Sequence, residues 1–357
     1  MINQIKRIEG YEGYMNLFCI DESMKEVNPT GTFKDRQPKA LEILLKDQTN
    51  PITLGAMSTG NTAYSILYFA KKHNAQGRHK ITPVIYTPRD FENREYFGPD
   101  VNGLKISGKE YLEVLKNLAN ETGGKIIPLD FGKAGQSSAD YLSTLRLARV
   151  ANDAGLVKEG GLFLNITEGL ENTAFINLDQ IANLSEERYS KLPKLGIKAY
   201  QPIIVEGIKE LNKRFGVNPD YVICQFGAGI LFNEVKDYLA KILPKTEIIP
   251  VAVGDAKSCA DKIYPSYWTI NSDKLRGGGT TESRHDRSTV YGLEDWELGR
   301  ALSMLKGKLD AEVSGVAGFA PLYRLEELIP RFDRQKDVIL TINTGNGLPN
   351  FRGKNGN

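Results

Sequence analysis

Histidine, cysteine and tryptophan are scarce in this chain, with three, three and two copies among 357 residues. His73, His79 and His285 form no HExxH pattern, so a protein-built metal site or a Ser-His-Asp triad lacks its parts. Cys19, Cys224 and Cys259 are odd in number and far apart, matching neither a disulfide framework nor a CxxC metal spacing. No apolar stretch approaches the ~20 residues of a membrane span, and Met1–Gly10 lacks the apolar core of a secretion signal. Charge of one sign is also missing: 46 Lys+Arg against 44 Asp+Glu leave a net +2, too little to gather nucleic acid or anionic lipid. No basic tail or aromatic–basic interleaving compensates. The expectations are a cytoplasmic protein with no nucleic-acid, membrane or metal partner, whose difficult chemistry, if any, needs an organic cofactor.

What the chain does contain is ordinary globular material, 41% hydrophobic and 25% charged, enough for one large or two medium lobes. Near-continuous apolar runs at Ile52–Met57, Ile81–Tyr86, Lys125–Phe131, Leu162–Ile166, Tyr221–Phe226, Glu247–Val253 and Val338–Asn343 read as strands covered on both faces. Between them, Thr62–Lys72, Tyr111–Asn120 and Leu231–Lys241 carry one-sided apolar stripes at helical spacing. The alternation predicts an α/β fold with mainly parallel sheet. Two stretches interrupt it. Glu171–Pro193 is polar with an acidic helical pattern over Leu178–Tyr189, and Asn271–Arg287, with three consecutive glycines, reads as a mobile surface loop. The tail Phe351–Asn357 is polar and Gly-rich and is expected to fray. Cys224, inside a strand pattern, reads as a buried inert thiol.

Four short segments carry chemistry-bearing residue types. Asn28–Arg36 (NPTGTFKDR) reads plainly as a turn feeding a helix, with Thr32 as N-cap and Asp35 at N3. On that reading Lys34 is a first-turn cation of the wrong sign for the helix dipole. Ser58-Thr59-Gly60-Asn61-Thr62 joins a strand to a helix; it is either a capped loop or an anion site built on helix amides. Gly227-Ala228-Gly229-Ile230-Leu231 follows the next strand in the same way. It is not the dinucleotide fingerprint, because Phe232 stands where the third glycine belongs. Asn343-Thr344-Gly345-Asn346-Gly347 ends the last strand and alone reads as a turn.

In this order the four segments resemble those of the fold-type-II pyridoxal-phosphate enzymes, the tryptophan synthase β and cysteine synthase superfamily, and most of all its threonine synthase branch. The resemblance implies two lobes, each a mainly parallel twisted sheet flanked by helices: a small mobile domain at 51–153, and a large pyridoxal-phosphate domain from 1–50 and 154–357. It implies pyridoxal 5′-phosphate as cofactor, Lys34 as the catalytic lysine bonded to it, and Asn61 on its 3′-oxygen. Gly227, Ala228, Gly229, Ile230 and Leu231 would wrap its phosphate, and Thr344 would face its ring nitrogen. Ser58, Thr59 and Thr62 would hold a small amino-acid substrate. A homodimer is a further family expectation.

The chain departs from the threonine synthase pattern in places. Ile230 stands where relatives carry a glycine, and Pro349 where they carry a lysine. In place of an arginine-bearing substrate segment stands Leu192–Ala199, with Lys191, Lys194 and Lys198 as substitutes that cannot reproduce a bidentate fork. Arg276, Arg284, His285 and Arg287 are either an anion contact on loop closure or a solvated surface. The implied activity is elimination or replacement on an amino acid, threonine synthase-like first: phosphohomoserine to threonine and phosphate. The alternative is β-replacement or β-elimination on a serine- or cysteine-type substrate, and a third reading is a catalytically silent binding paralogue.

Overall fold

The computed structural model describes residues 4–58, 60–77, 80–129, 144–165, 169–265 and 268–352. Along the chain run β1 (Ile5–Arg7), β2 (Leu17–Asp21), α1 (Arg36–Leu44), β3 (Ile52–Met57), α2 (Asn61–Asn74), β4 (Ile81–Pro88) and α3 (Gly108–Thr122). Next come β5 (Lys125–Leu129), α4 (Thr144–Asp153), β6 (Gly160–Leu164), β7 (Phe175–Asn177), α5 (Leu178–Ile181), α6 (Glu186–Ser190) and α7 (Gln201–Phe215). The remainder is β8 (Tyr221–Gln225), α8 (Ile230–Ile242), β9 (Glu247–Val253), β10 (Thr280–Glu282), β11 (Thr289–Leu293), α9 (Asp295–Leu305), α10 (Leu325–Leu328) and β12 (Ile339–Asn343). The chain divides into two units, one from Met1–Phe33, Phe97–Lys105 and Tyr200–Pro349, the other from Lys34–Tyr96, Ile106–Ala199 and Asn350–Asn357.

The first unit is built on a seven-stranded sheet in the order β1-β2-β12-β8-β9-β11-β10. Its five inner strands are parallel, and an antiparallel strand lies at each edge. β8 and β12 are buried at every position, and their side chains alternate between two cores. Val222, Cys224, Leu340 and Ile342 pack with Ile203, Ile204 and Leu211 of α7 and Val235 and Leu239 of α8. Tyr221, Ile223 and Ile339 pack with Leu298, Ala301 and Leu305 of α9 and with Phe319. Each fully buried aliphatic side chain of this kind stabilises the fold by about 1.5–3 kcal/mol, which explains the continuous apolar runs in the sequence.

The second unit holds a five-stranded sheet, β5-β4-β3-β6-β7, parallel except for β7. At its centre Gly55 has no room for a side chain, since a Cβ would stand 2.5 Å from the Phe163 ring. The polar stretch 171–193 supplies the edge strand β7 and the short helices α5 and α6, whose Ile181 and Tyr189 join Ala148, Leu184 and Ile176 in one core.

The boundaries differ from the sequence expectation of a lobe at 51–153. β6 pairs with β3, so residues up to Ala199 belong with the five-stranded sheet, as does α1. Residues 97–105 go with the other unit, where Val101 N–H donates to the Ala311 carbonyl. The stretch 271–287 is structured as a 3-10 turn (Ser272–Gly278) and the edge strand β10. Gly279 serves close packing, since a Cβ there would lie 2.2 Å from the Lys274 carbonyl oxygen, while Gly277 takes a left-handed φ of +66°. Phe351 is fully buried rather than frayed, stacked on Tyr111 with ring centroids 3.7 Å apart; residues 353–357 lie outside the described residues.

Candidate active site

In the first unit, Gly227–Leu231 and Thr344 lie just beyond the carboxyl ends of β8 and β12, neighbouring parallel strands. That end of a parallel sheet is where α/β folds bind ligands. Gly227 is needed for packing, because a Cβ there would come 2.9 Å from the Lys262 carbonyl oxygen. Gly229 is the N-cap of α8 at φ +83°, a left-handed conformation costly to other residues. Among the described residues no side chain caps α8, and no acid occupies its first turn, so its leading amides and dipole can meet an anion. Ala228 and Ile230 are half-buried, while Leu231 points into the core shared with α7.

Thr344 is buried in a small antiparallel clasp. Phe33 N–H donates to its carbonyl at 3.1 Å, Asn346 N–H donates to the Gly31 carbonyl at 2.9 Å, and Thr32 bridges Gly345. Gly345, at φ +107°, leaves no space for a Cβ, which would fall 2.2 Å from the Gly31 carbonyl oxygen. The clasp rests on acids that the sequence does not single out, because they are scattered along it. Asn343 Nδ2 donates to Asp21 Oδ1 at 2.8 Å, and Asn346 Nδ2 to Asp310 at 2.6 Å and Asp100 at 3.0 Å. Glu312 N–H donates to the Gly345 carbonyl, and its carboxylate pairs with Lys262 at 2.8 Å.

In the second unit, Lys34 is half-buried in the 3-10 turn Phe33–Asp35 that leads into α1. The expected Thr32 cap is absent: α1 takes Asp35 as its N-cap residue, without a side-chain cap bond. Asp35 accepts instead from the Ser65 hydroxyl on α2, which fixes the lysine turn against the helix that begins at Asn61. Asn61 and Thr62 are the half-buried first residues of α2. Ser58 Oγ accepts from the Gly60 and Ala63 amides at 3.3 and 3.0 Å, so this loop is a capped one whose hydroxyl hydrogen can still be donated. Thr59 lies outside the described residues. Tyr111 closes the back of the loop, 3.0 Å from where a Gly60 Cβ would stand.

The substitute cations are committed locally. Lys191 pairs with Glu187, Lys198 with Glu171, and Lys194 lies over the Tyr189 ring. Arg276 Nε donates to the Gly254 carbonyl, Arg284 Nε to that of Thr269, Arg287 pairs with Glu282, and His285 stacks on Trp268. Burial pushes the Cys19 and Cys224 thiols far up, and that of Cys259 up to about 12; none is poised as a nucleophile. Among the described residues no cluster of three or more His, Cys, Asp or Glu could hold a metal, and no helix is long and apolar enough to cross a membrane.

No protein-family model matches the sequence, and no curated protein matches it. Solved structures do match it in fold. Escherichia coli diaminopropionate ammonia lyase, in complex with an aminoacrylate–PLP reaction intermediate, is 15% identical over 94% of this chain and 81% of its own, with a TM-score of 0.60. A fungal L-serine ammonia-lyase from Rhizomucor miehei is 16% identical over 96% and 94%, at 0.54. The O-acetylserine dependent cystathionine β-synthase of Helicobacter pylori is 15% identical over 98% and 94%, at 0.55. The chain therefore has the α/β fold of the fold-type-II pyridoxal-phosphate enzymes, two mainly parallel sheets flanked by helices. At these identities the likeness concerns the fold, and activity has to be argued from the site.

Proposed function

We propose that this chain is a pyridoxal-phosphate enzyme that eliminates or replaces the β-substituent of a serine-type amino acid. The observation that carries the reading is the uncapped, acid-free N-terminus of α8 at the carboxyl end of β8, beside the clasp that ties the lysine-bearing segment to Thr344. The donor types that each unit carries suit the cofactor's groups. The amides of Gly227–Leu231 would hold its phosphate and the neutral Thr344 hydroxyl its ring nitrogen. Asn61 would take the 3′-oxygen and Lys34 the aldehyde carbon.

When bound, the cofactor supplies an electron sink for charge at the substrate α-carbon. The Lys34 amine would take up and return the α-proton. Ser58, Thr59 and Thr62 would orient the substrate carboxylate; the Ser58 oxygen already accepts from the Gly60 and Ala63 amides, which leaves its hydrogen to donate. With the Thr344 hydroxyl rather than a carboxylate at the ring nitrogen, that nitrogen would stay largely unprotonated, which would favour loss of a leaving group over transamination.

The structural neighbours are named for ammonia release and β-synthesis on serine-type substrates, which favours this reading over the threonine synthase-like one. The missing arginine segment points the same way. Reconstituted protein should absorb near ~410–420 nm, and borohydride reduction with peptide mapping should fix the label on Lys34. Pyruvate and ammonia should then form from serine-type substrates; phosphate released from phosphohomoserine instead would restore the threonine synthase-like alternative. A colourless protein carrying no label would remove both.

A further inference from the structure

A groove of about 700 Å³ lies on the first unit at the outer edge of β1, with Lys6, Arg7, Glu9, Arg214, Phe215 and Lys308 on its walls. Four of these are cations and one is an acid. Two of the cations are neutralised by carboxylates: Lys6 by the fully buried Asp21 at 2.5 Å, and Arg214 by Glu210 at 2.8 Å. Among the described residues the other two are hydrogen-bonded to neutral carbonyls. Arg7 donates to Met15 O and Lys308 to Glu9 O, both at 2.9 Å. Among the described residues the walls thus present two cations without a carboxylate partner against the carboxylate of Glu9, beside the half-buried ring of Phe215.

The strand edge is partly closed already. Asp21 N–H donates to Gln4 O and Ile8 N–H to Leu17 O, so the peptide groups of Ile5 and Arg7 face away from β2. Those of Ile5 are taken by α7, with Glu210 accepting its amide and Arg214 donating to its carbonyl.

One of its walls is wired to the clasp. Lys6 forms an ion pair with Asp21 Oδ2, Asp21 Oδ1 accepts from Asn343 Nδ2 at 2.8 Å, and Asn343 Oδ1 accepts the Gly345 amide at 3.0 Å. Gln4, beside the groove, begins a second route: its amide donates to Glu22 Oε1, and Glu22 Oε2 accepts from Asn28 at the head of the lysine-bearing segment. The links among Asp21, Asn343, Gln4, Glu22 and Asn28 are buried, where hydrogen bonds to charged groups are strongest and least screened, whereas the Lys6 side chain is 38% exposed.

We propose that this groove binds a small multivalent anion, carrying phosphate or carboxylate groups, between Arg7 and Lys308. The bound anion competes with Asp21 for Lys6 and so loosens the Asn343–Gly345 hold on the Thr344 clasp. That Thr344 belongs to a ligand site rests on the proposed function; the anion site and its coupling to the clasp do not. A distant effect of this kind requires the ligand to distinguish two states of the intervening element, and here that element is the Lys6–Asp21 pair.

Inorganic pyrophosphate and citrate are the probes, titrated calorimetrically into the cofactor-free full chain at low salt, with hydrogen exchange mapped by peptide. Two open cations support a dissociation constant on the order of 0.1–1 mM, and the R7Q/K308Q double variant should weaken it roughly tenfold or more, each lost contact being worth up to about a decade. Binding should protect peptides covering residues 5–9 and increase exchange across 343–347. In K6Q the anion should still bind, with exchange at 343–347 no longer responding. Pyrophosphate alone, citrate alone or both binding assigns a phosphate, a carboxylate or either class. Unchanged affinity in R7Q/K308Q, or protection falling elsewhere, overturns the site; a clasp indifferent to the bound anion, or responsive still in K6Q, overturns the coupling. Failure of the pyridoxal-phosphate reading would show separately, in the missing absorbance and Lys34 label.

Discussion

The helices α2 and α8 occupy matching places, each following a buried parallel strand through a loop of small residues, yet their N-termini are finished differently. At α2, Ser58 folds over and accepts from two of the leading amides. Both helices have a glycine N-cap and an acid-free first turn, but at α8 no side chain among the described residues returns to the amides as Ser58 does at α2. In water an unfilled helix start forfeits about 1 kcal/mol relative to a capped one. On the proposed function the open start is the one that receives the cofactor phosphate, since an anion can meet the leading amides of a helix. STGNT and GAGIL look alike as strings; their hydrogen bonds separate a self-satisfied loop from a receiving one.

The strongest way to break this contrast is Gly227→Ala. The new methyl would meet a backbone carbonyl, which cannot swing aside as a side-chain end can. Overpacking of this kind costs about 1–3 kcal/mol, and the loop amides would move with it. Pyridoxal-phosphate affinity, followed by absorbance on titration, should fall roughly tenfold or more, since each 1.4 kcal/mol is a decade. The melting temperature should fall by roughly 2–4 °C. If G227A binds the cofactor as tightly as the parent chain, the open loop is not its phosphate site.

Ser58→Ala sharpens the contrast from the other side. It removes an acceptor from two amides and should destabilise the chain by about 1 kcal/mol, read from urea unfolding. Cofactor affinity should stay within about twofold, as expected of a substitution outside the contacts that set it. Substrate KM should rise if the hydroxyl hydrogen meets a carboxylate. A cofactor-binding loss in S58A equal to that in G227A would erase the distinction between the two helix starts.

Legibility in the sequence followed burial. β3 and β9 fall where their apolar runs place them, and α8 is visible from its stripe, because strands covered on both faces and helices covered on one leave strong patterns. β2 leaves a weaker trace. Its LFCID ends in an aspartate that is buried only because Lys6, Ser23 and Asn343 answer it. α7 begins with Gln201-Pro202 and so resembles a turn, although proline is well placed in a first helical turn. The triple glycine of 277–279 suggested mobility, whereas Gly279 is a site of close backbone approach. At the site, the local segments were legible as strings. The acids beneath the clasp were not, since Asp21, Asp100 and Asp310 are brought together only by the folded sheet.

The smallest expected effect concerns how the two helices are tied along their flanks. Lys71 of α2 pairs with Glu121 across an exposed surface, both side chains about half accessible, an arrangement worth about 0–1 kcal/mol. Lys236 of α8 pairs with Asp286, which also accepts from the Ser288 hydroxyl and amide. Partial burial pushes the Asp286 carboxyl up, but the bonds from Lys236 and Ser288 outweigh it and hold the group down at about 2, against an ordinary 3.8. A depressed carboxyl contributes stability above its unfolded value and loses it as pH falls through the folded one, so the contribution should be intact at pH 5 and disappear between about 4 and 2. Solvent screening at this partly exposed site keeps it below about 1 kcal/mol. Asp286→Asn should therefore melt slightly below the parent chain at pH 7, with the two curves converging as pH falls toward 2. The parallel charge removal at α2, Glu121→Gln, should show no resolvable offset. A gap between D286N and the parent chain that persists unchanged at pH 2 would mean that Asp286 acts through packing, and that the flank of α8 is tied no more electrostatically than that of α2.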